Sequence, residues 1–308
     1  MKVTRKKSPT IISFRRALLL LSLCLIFAWW NISQQSSNIQ LRSDGKAVQV
    51  LATDFIYQPG WGKAPIVVES HKLIFFTIPK VACSVWKQLF RRMEGYDDWK
   101  SGKINVHNPK VNGLRYLNQY SLKNATRILN DPSYTKAVFV RDPKDRFLSA
   151  YLEKGLKENG HHVQVKCCPS DSNRCWPESN RSFAHFFDVT RTCSDTHWNP
   201  MHERLEAKFL PLIDFIGSMD HLQEDAKQIL QRIGAWEEYG ASGWGVDGTE
   251  RIFESKSSVN HATSGNSKDA WERMKRYYTP ELERAVQERF DRDYSTFQLP
   301  RKAIDFKS

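Results

Sequence analysis

The turn from Thr77 to Val85 has the composition of an anion-binding loop. It follows a short apolar run and reads Thr77-Ile78-Pro79-Lys80-Val81-Ala82-Cys83-Ser84-Val85. The small residues allow backbone amides to approach phosphate oxygens, Ser84 adds a hydroxyl, and Lys80 can neutralise charge developing on a leaving group. The turn is not a Walker A loop, because Gly-x4-Gly-Lys-Ser/Thr occurs nowhere in the chain. An ordinary strand–helix turn with a solvated lysine explains the same residues equally well.

A second turn pairs an arginine with a serine. Arg141 directly follows another apolar run, and Ser149 lies about two helical turns further along the chain. Arginine offers a planar bidentate fork for phosphate, and serine offers a directed hydroxyl. Ion pairs on the surface of a helix start are the alternative for the charges in between, which are Asp142, Lys144, Asp145 and Arg146. That alternative explains an arginine directly after an apolar strand less well.

Three short apolar runs predict the strands that position these turns: Leu73–Thr77, Ala137–Val140 and Ile213–Gly217. Helical patterns follow them, over residues 85–93, from residue 143 onward and around residues 222–230, and Thr279-Pro280 opens a last helix that ends near Phe290. Strands alternating with helices indicate an α/β fold with a central parallel sheet covered on both faces. Ligands bind such sheets at the carboxyl ends of the strands, so both turns are expected at one edge.

The chain has four segments, at residues 79–87, 140–151, 197–200 and 214–217, that resemble motifs of a known family. The family is the Golgi carbohydrate sulfotransferases of the chondroitin/dermatan 4-O-sulfotransferase-like group (sulfotransferase family 2). The segment 79–87 resembles the family's 5′-phosphosulfate signature, and the segment 140–151 is similar to its 3′-phosphate signature. His197-Trp198-Asn199-Pro200 and the segment 214–217 match two later motifs in order, so the resemblance covers roughly residues 73–297. Asp142 replaces the family's usual Glu, Val85 stands where Asn is common, and an insertion spans residues 156–196.

The resemblance implies a P-loop-like sulfotransferase fold and transfer of a sulfuryl group from 3′-phosphoadenosine 5′-phosphosulfate to a carbohydrate hydroxyl. It implies that Lys80 steadies the bridging oxygen of the donor, that amides of residues 81–85 surround the 5′-phosphate, and that Arg141 and Ser149 hold the 3′-phosphate. No metal is needed, because lysine, arginine and backbone dipoles stabilise the charge. The expected donor-binding residues are Pro79, Lys80, Val81, Ala82, Cys83, Ser84, Val85, Arg141 and Ser149.

The general base is expected to be His197, which opens the third matching motif. A base tuned near neutral pH suits a hydroxyl nucleophile. A core histidine hydrogen-bonded beside Trp198 is the alternative interpretation. Three other candidates for the base are His107, His202 and Glu203. The segment from His261 to Ser264, with Lys268, also resembles a family stretch near the donor, although a plain loop explains it better.

The N-terminus predicts a single-pass membrane anchor with the catalytic domain in the Golgi lumen. Residues 1–16 form a basic tail without acidic residues, whose cations are Lys2, Arg5, Lys6, Lys7, Arg15 and Arg16. The largely apolar segment 17–32 ends near Trp29 and Trp30, which suit an interfacial belt, and the upstream cations favour a cytosolic N-terminus. A cleaved signal peptide is the alternative. A stem over residues 33–70 and a lumenal domain over residues 71–308 complete the expected type II arrangement.

Cysteine usage fits an oxidising compartment. Cys24 lies in the apolar N-terminal run and Cys83 in the first turn, whereas four cysteines cluster in the insertion. These four are Cys167, Cys168, Cys175 and Cys193. Their spacing favours a disulfide-stapled insertion over a zinc site, but it allows three pairings and does not select one. Glycosylation sequons at Asn31, Asn124 and Asn180 support lumenal exposure weakly.

Composition bounds the function classes. The 46 Lys and Arg and 34 Asp and Glu among 308 residues give a net charge of +12, and 40% of residues are apolar. This composition excludes a disordered, collagen-like or multi-span membrane protein. Six positive charges belong to residues 1–16, so the rest carries 40 basic and 34 acidic residues, a net of +6. The remaining surplus is modest and does not require a polyanion-binding groove.

Two rival functions share the topology. A lumenal glycosyltransferase would hold a metal–diphosphate with Asp-x-Asp, for which the match considered is Asp291-Arg292-Asp293, near the end of the last helix. A non-enzymatic glycan-binding ectodomain would use the basic surface without making a product. Nucleic-acid binding is not expected, because none of the usual motifs occurs. The acceptor sugar, the position sulfated and the oligomeric state have no recognisable sequence signal.

Overall fold

A computed structural model describes residues 64–170, 175–205, 207–254 and 267–306. Its centre is a four-stranded sheet in the order β1 (Ile66–Val68), β2 (Leu73–Phe76), β3 (Thr135–Val140) and β4 (Phe215–Ser218). Strands β2, β3 and β4 are parallel, which confirms the three predicted strands. Strand β1 pairs antiparallel with β2 and was not predicted; it lies in the segment expected to form the stem. The fold is therefore mixed α/β.

Nine α-helices belong to the described residues. In chain order they are α1 (Cys83–Met93), α2 (Leu122–Asn130), α3 (Pro143–Ala150), α4 (His161–Cys167), α5 (Phe183–Thr190), α6 (Leu222–Arg232), α7 (Ser267–Tyr277), α8 (Pro280–Arg289) and α9 (Asp291–Thr296). Helix α3 continues as a π-helical turn at Tyr151–Gly155. Asp142 caps α3 by accepting from two backbone amides, and Thr279 caps α8 by accepting from one, the amide of Leu282. Each cap is followed by a proline at the first helical position.

Aromatic packing fixes α1 on the sheet. The Trp86 ring lies 4.9 Å from the Phe75 ring and 4.6 Å from the Phe139 ring, measured between centroids. Strand β4 can approach β3 closely because it carries Gly217, where a Cβ would lie 2.4 Å from a ring carbon of Phe139. The strands are buried almost throughout, as their continuous apolar runs predict. This packing holds the start of α1 at the carboxyl end of β2.

A second aromatic cluster supports α3 and the insertion. Phe147 of α3 packs with Phe186 of α5 and Phe290 at the end of α8, at centroid distances of 5.1 and 5.6 Å. Two disulfides lie beside this cluster, one between Cys167 and Cys193 and one between Cys168 and Cys175. The disulfide-stapled insertion is thus confirmed, and the structure selects one of the three pairings.

Several predictions concern residues outside the described ranges. These are the basic tail 1–16, the membrane segment 17–32 with Cys24, the stem up to residue 63 and the segment from His261 to Ser264. Among the helices of the described ranges, none combines the length and apolar character needed to cross a membrane. The anchor and its orientation stay predictions.

Candidate active site

The loop between β2 and α1 places Lys80 and the first turn of α1 at the carboxyl end of the sheet. Lys80 and Ala82 adopt left-handed backbone conformations, with φ of 70° and 50°, and Ala82 is the N-cap of α1. No side chain caps this helix; the Ser84 hydroxyl instead lies 2.9 Å from His107 Nε2. A helix N-terminus carries partial positive charge and attracts anions. The predicted donor loop, residues 77–85, therefore has the backbone arrangement of an anion site.

The Cys83 thiol reports a positive environment in this loop. Burial raises the pKa of Cys83, but a hydrogen bond with His107 and the charges of His107, Lys87 and Lys80 outweigh it and lower the pKa to about 6. Lys87 is itself buried, and burial lowers its pKa. The charge of Arg204 also lowers the pKa of Lys87, and the Nε of Arg204 donates to Thr77 O at 3.2 Å. Lys87 and Arg204 are two cations of this region to which the sequence analysis gave no role.

Lys80 lies against a carboxylate that the sequence analysis did not identify. Its ammonium group pairs with Glu153 Oε2, and the two side chains are only 5% and 19% exposed. Burial lowers the pKa of Lys80, and the neighbouring Glu153 partly offsets this effect. Glu153 belongs to the π-helical turn after α3. π-Helical turns are common at functional sites, but no residue pattern marks this one.

Arg141 joins the second predicted turn to the first. Its Nη1 donates to Lys80 O at 2.9 Å, and its Nε donates to Asp145 Oδ2 at 2.6 Å. Arg141 directly follows the last residue of β3, and the carboxyl end of β3 lies next to that of the parallel strand β2. Ser149 lies on α3 and is buried. The structure thus brings Lys80 and Arg141 together at one edge of the sheet, where the sequence places them.

Arg146 connects the donor loop to the segment that contains His197. Its guanidinium donates from Nε to Pro79 O at 3.0 Å, from Nη1 to Asn199 O at 2.7 Å and from Nη2 to Thr196 O at 2.9 Å. Burial lowers the pKa of Arg146 to about 10 although the carboxylate of Asp293 opposes this shift. The surface interpretation of this charge is wrong, because Arg146 is buried. The neighbouring Lys144 is buried as well and pairs with Glu283 at 2.6 Å.

His197 forms a pair with Asp195. The distance from His197 Nδ1 to Asp195 Oδ1 is 2.5 Å, and the same oxygen accepts the His197 backbone amide at 2.9 Å. Burial lowers the pKa of His197, and Asp195 partly restores it. Burial opposes the ionisation of Asp195, yet hydrogen bonds from His162 and His197 hold its pKa well below the usual range. The Trp198 ring is buried, whereas His197 keeps a quarter of its side chain exposed.

The alternative bases have other partners. His202 Nδ1 lies 2.7 Å from Asp293 Oδ1, and the carboxylate of Asp293 also accepts the backbone amides of Met201 and His202. Glu203 is exposed and accepts from the Asn199 side chain at 3.0 Å. His107 contacts the donor loop through Ser84, so it lies near the predicted 5′-phosphate position. Of these candidates, His202 has the contacts of a structural residue.

The Asp-x-Asp segment lacks the arrangement of a metal-diphosphate site. Asp293 is fully buried and bound to the chain around residues 201–202. Asp291 is exposed and pairs with Arg301 at 2.6 Å. Because the two carboxylates bind different partners, they do not converge on one cation. The structural support for the glycosyltransferase alternative is therefore absent at this segment.

Comparison with known proteins identifies the family. The sequence profile described as "Sulfotransferase family" matches residues 64–300. Carbohydrate sulfotransferase 9 of Homo sapiens is 32% identical over 185 residues, which cover 55% of this chain and 40% of that protein. Carbohydrate sulfotransferase 11 of Mus musculus is 40% identical over 188 residues, with 55% and 52% covered, and carbohydrate sulfotransferase 14 of Danio rerio is 27% identical over 182 residues, with 55% and 48% covered.

The share of each protein that is covered decides whether a match identifies the family. The chain spans about half the length of these curated relatives. No solved structure matches it. The family profile, however, covers more than three quarters of the chain and includes both predicted anion-binding turns and the His197 segment. The resemblance found in the sequence is thereby confirmed, and the chain belongs to the sulfotransferase family.

Proposed function

We propose that this protein transfers a sulfuryl group from 3′-phosphoadenosine 5′-phosphosulfate to a hydroxyl of a carbohydrate acceptor. The observation that carries the proposal is the hydrogen bond from Arg141 Nη1 to Lys80 O, at 2.9 Å. It joins two cationic turns at the carboxyl ends of neighbouring parallel strands, where α/β sheets bind ligands. A donor with phosphates on both sides of its ribose needs two such turns. The names of the relatives support the reaction class and a carbohydrate acceptor.

Donor binding exchanges one set of anions for another. Lys80 is paired with Glu153 and Arg141 with Asp145. The 5′-phosphosulfate would take the place of Glu153 on Lys80, with the backbone of residues 81–85 and the Ser84 hydroxyl around the phosphate. The 3′-phosphate would bind Arg141 and Ser149. Each buried cation therefore keeps an anionic partner during the exchange, which limits its desolvation cost.

The transfer step is an in-line displacement at sulfur. The acceptor oxygen forms a bond to sulfur while the bond from sulfur to the bridging oxygen breaks, which releases adenosine 3′,5′-bisphosphate. Lys80 stabilises the charge on the bridging oxygen, and the acceptor proton passes to His197. Since Nδ1 of His197 is hydrogen-bonded to Asp195, Nε2 is the nitrogen that takes this proton. Lysine, arginine and backbone groups supply the charge stabilisation, so the mechanism assigns no step to a metal.

The position of His197 relative to the donor loop supports its role. Arg146 binds Pro79 O on one side and the carbonyls of Thr196 and Asn199 on the other. A second link runs from Lys80 through Glu153 to Lys154, whose charge acts on His197. Both links support a location of the His197 segment beside the loop that would hold the transferred group.

The proposed setting is the Golgi lumen, with residues 17–32 as a single-pass signal anchor. The Cys167–Cys193 and Cys168–Cys175 disulfides fit an oxidising compartment. Membrane extraction and protease protection of the full chain would test the topology. Digestion of residues 64–306 in sealed vesicles without detergent would exclude a lumenal domain.

The decisive experiment measures transfer and donor binding together. The full chain is incubated with radiolabelled phosphosulfate donor and a panel of glycans, and binding of adenosine 3′,5′-bisphosphate is titrated separately. We expect labelled product with at least one glycan and saturable nucleotide binding. Glycan binding without product or nucleotide affinity would instead identify a non-enzymatic glycan receptor, and manganese-dependent transfer from a nucleotide sugar would identify a glycosyltransferase.

Two lysine variants test the assignment of Lys80. Lys80→Ala should abolish transfer while the protein stays folded. Lys72→Ala is the matched control, because Lys72 is exposed and precedes β2, at the opposite end of the same strand. Near-normal transfer by Lys80→Ala would refute the assigned role.

A further inference from the structure

His162, Asp195 and His197 form a cluster with the composition of a metal site. One ligand atom from each of the three side chains lies within 4.8 Å of the other two. His162 Nε2 is 3.1 Å from Asp195 Oδ2, and His197 Nδ1 is 2.5 Å from Asp195 Oδ1, so the carboxylate lies between the two rings. The rings are 5.2 Å apart between centroids and nearly perpendicular. All three side chains keep some solvent exposure, between 8% and 29%.

A disulfide and a backbone hydrogen bond fix the positions of the three residues. His162 lies on α4, five residues before Cys167, and Asp195 lies two residues after Cys193. The disulfide between Cys167 and Cys193 ties these two segments together. The Asp195 carboxylate is further fixed by the His197 backbone amide, at 2.9 Å. Preorganisation of this kind reduces the cost of bringing ligands to one ion.

The donor set selects the class of ion. Two imidazoles and one carboxylate suit divalent first-row transition metals, whereas Mg²⁺ and Ca²⁺ prefer oxygen ligands throughout. Zinc ligands lie at about 2.0–2.2 Å, so in a tetrahedral site they are separated by about 3.3 Å. Starting from atoms within 4.8 Å of one another, the cluster reaches this spacing by shifts of roughly 1.5 Å or less. Lys154, whose charge acts on His197, is paired with Glu153 at 3.3 Å. The carboxylate of Asp195 therefore stays available to balance the charge of the metal ion.

We propose that His162, Asp195 and His197 bind a divalent transition-metal ion of the zinc class, and that this ion inhibits sulfuryl transfer. The inhibitory part rests on the proposed function, in which His197 is the base. A neutral imidazole has one nitrogen with a free lone pair, and a metal ligand uses that lone pair. Metal-bound His197 therefore has no nitrogen left to accept the acceptor proton. His162, supplied by the Cys-rich insertion, has no assigned step in the transfer and completes the ligand set.

The binding experiment uses Zn²⁺ alone with the untagged full chain. Isothermal titration should give one tight Zn²⁺ per chain, and Mg²⁺ at the same concentration should give no signal. His162→Gln should weaken Zn²⁺ binding by about 100-fold or more, since loss of an outer-shell partner alone costs about 10–100-fold. His161→Gln is the matched control, because His161 is the exposed neighbour on the same helix and should bind Zn²⁺ like the unaltered chain. Absence of a stoichiometric Zn²⁺, or equal affinities for His162→Gln and His161→Gln, would overturn the site.

Cobalt substitution and transfer assays separate the remaining outcomes. Co²⁺ should give visible absorption bands in the unaltered chain and in His161→Gln but not in His162→Gln, with circular dichroism confirming that both variants are folded. Transfer by the unaltered chain should fall with the same Zn²⁺ midpoint as binding, and His162→Gln should need about 100-fold more Zn²⁺. Tight Zn²⁺ binding with undiminished transfer would overturn the inhibitory part. If no glycan is sulfated at all, the proposed function fails, while the titrations still decide the metal site.

Discussion

Replacing Arg146 by lysine tests whether one buried guanidinium aligns the donor loop with the predicted base. The arginine donates to three backbone carbonyls, of Pro79, Thr196 and Asn199. A lysine keeps the charge but has one nitrogen on a shorter side chain, so we expect it to retain about one of the three bonds. Each lost charge-assisted hydrogen bond costs about 1.5–3 kcal/mol. Two losses with partial relaxation lower the free energy of unfolding by about 3 kcal/mol.

The expected changes are measurable in two assays. A domain of this size loses about 2–4 °C in Tm per kcal/mol, so Arg146→Lys should lower Tm by about 6–12 °C in a thermal melt. Because the two segments are no longer held in register, a displacement near 1 Å should also reduce kcat by about 100-fold. Labelled-sulfate transfer, measured well below the new Tm and corrected for the folded fraction, gives this second number.

Arg289 provides the matched control. Its Nη1 donates to Thr190 Oγ1 at 2.9 Å and its Nη2 to Thr190 O at 2.8 Å, and burial lowers its pKa to about 10, as it does for Arg146. It joins α8 to α5 and lies over three phenylalanine rings, all outside residues 77–85. Arg289→Lys should lower Tm but leave kcat of the folded enzyme unchanged. Equal losses of kcat in the two lysine variants, or an unchanged Tm in Arg146→Lys, would refute the reasoning.

Three further predictions follow from neighbouring groups. The rate of alkylation of Cys83, followed by mass spectrometry of its peptide, should rise with pH through a midpoint near 6, because the thiolate forms above the pKa of the thiol. His107→Gln should move that midpoint to higher pH, since the contact with His107 lowers the pKa of Cys83. An unchanged midpoint would contradict this contact. Asp195→Asn should lower kcat by about 100-fold. It should also shift the acidic limb of the pH–rate profile to lower pH, since Asp195 raises the pKa of its histidine partner, and a shift to higher pH would exclude this role. Replacing Cys167 and Cys193 by alanine removes a disulfide with a sequence separation of 26. The free energy of unfolding, measured by chemical denaturation, should fall by about 3.5 kcal/mol. A loss near zero would show that this disulfide does not stabilise the insertion.

The central strands could be predicted from sequence because their physical cause is local. Leu73–Phe76 and residues 137–140 are buried on both faces, and such strands need continuous apolar residues. Strand β1 was missed because Ile66–Val68 offers only three residues and no alternation. Its pairing with β2 is antiparallel, at an edge that the α/β pattern does not specify.

The position of the candidate site could be predicted, but its internal contacts could not. Lys80 and Arg141 meet because parallel strands bring their carboxyl ends to one edge, which is a consequence of topology. The role of Arg146 depends on carbonyl groups of residues 79, 196 and 199, and every residue carries a carbonyl. Glu153 reaches Lys80 from a π-helical turn, which a regular helical period does not predict.

The same limit applies to the cysteines and to the predicted base. Cys167 and Cys168 are adjacent, so the sequence allows either to pair with Cys193. In the structure Cys193 pairs with Cys167, the last residue of α4, and Cys175 pairs with Cys168. His197 was chosen from a motif, whereas its partner Asp195 lies two residues earlier and outside the matched segment. Contacts between segments far apart in sequence depend on tertiary packing, so local sequence patterns do not predict them.

The carboxylates beside Lys80 and Arg141 explain how a strongly cationic site can stay folded before a donor binds. An uncompensated charge in a low-dielectric interior is far costlier than a paired one, so each buried cation needs an anion at every stage. Glu153 and Asp145 meet this need within the chain, since they pair with Lys80 and Arg141. Under the proposed function, donor affinity would then reflect the difference between a phosphate and a carboxylate on the same cations, not the full attraction of the donor. Product release would follow the same exchange in reverse, with the carboxylates returning to the cations as the nucleotide departs. The proposed site could thus bind a polyanionic donor without leaving either cation unpaired before the donor arrives.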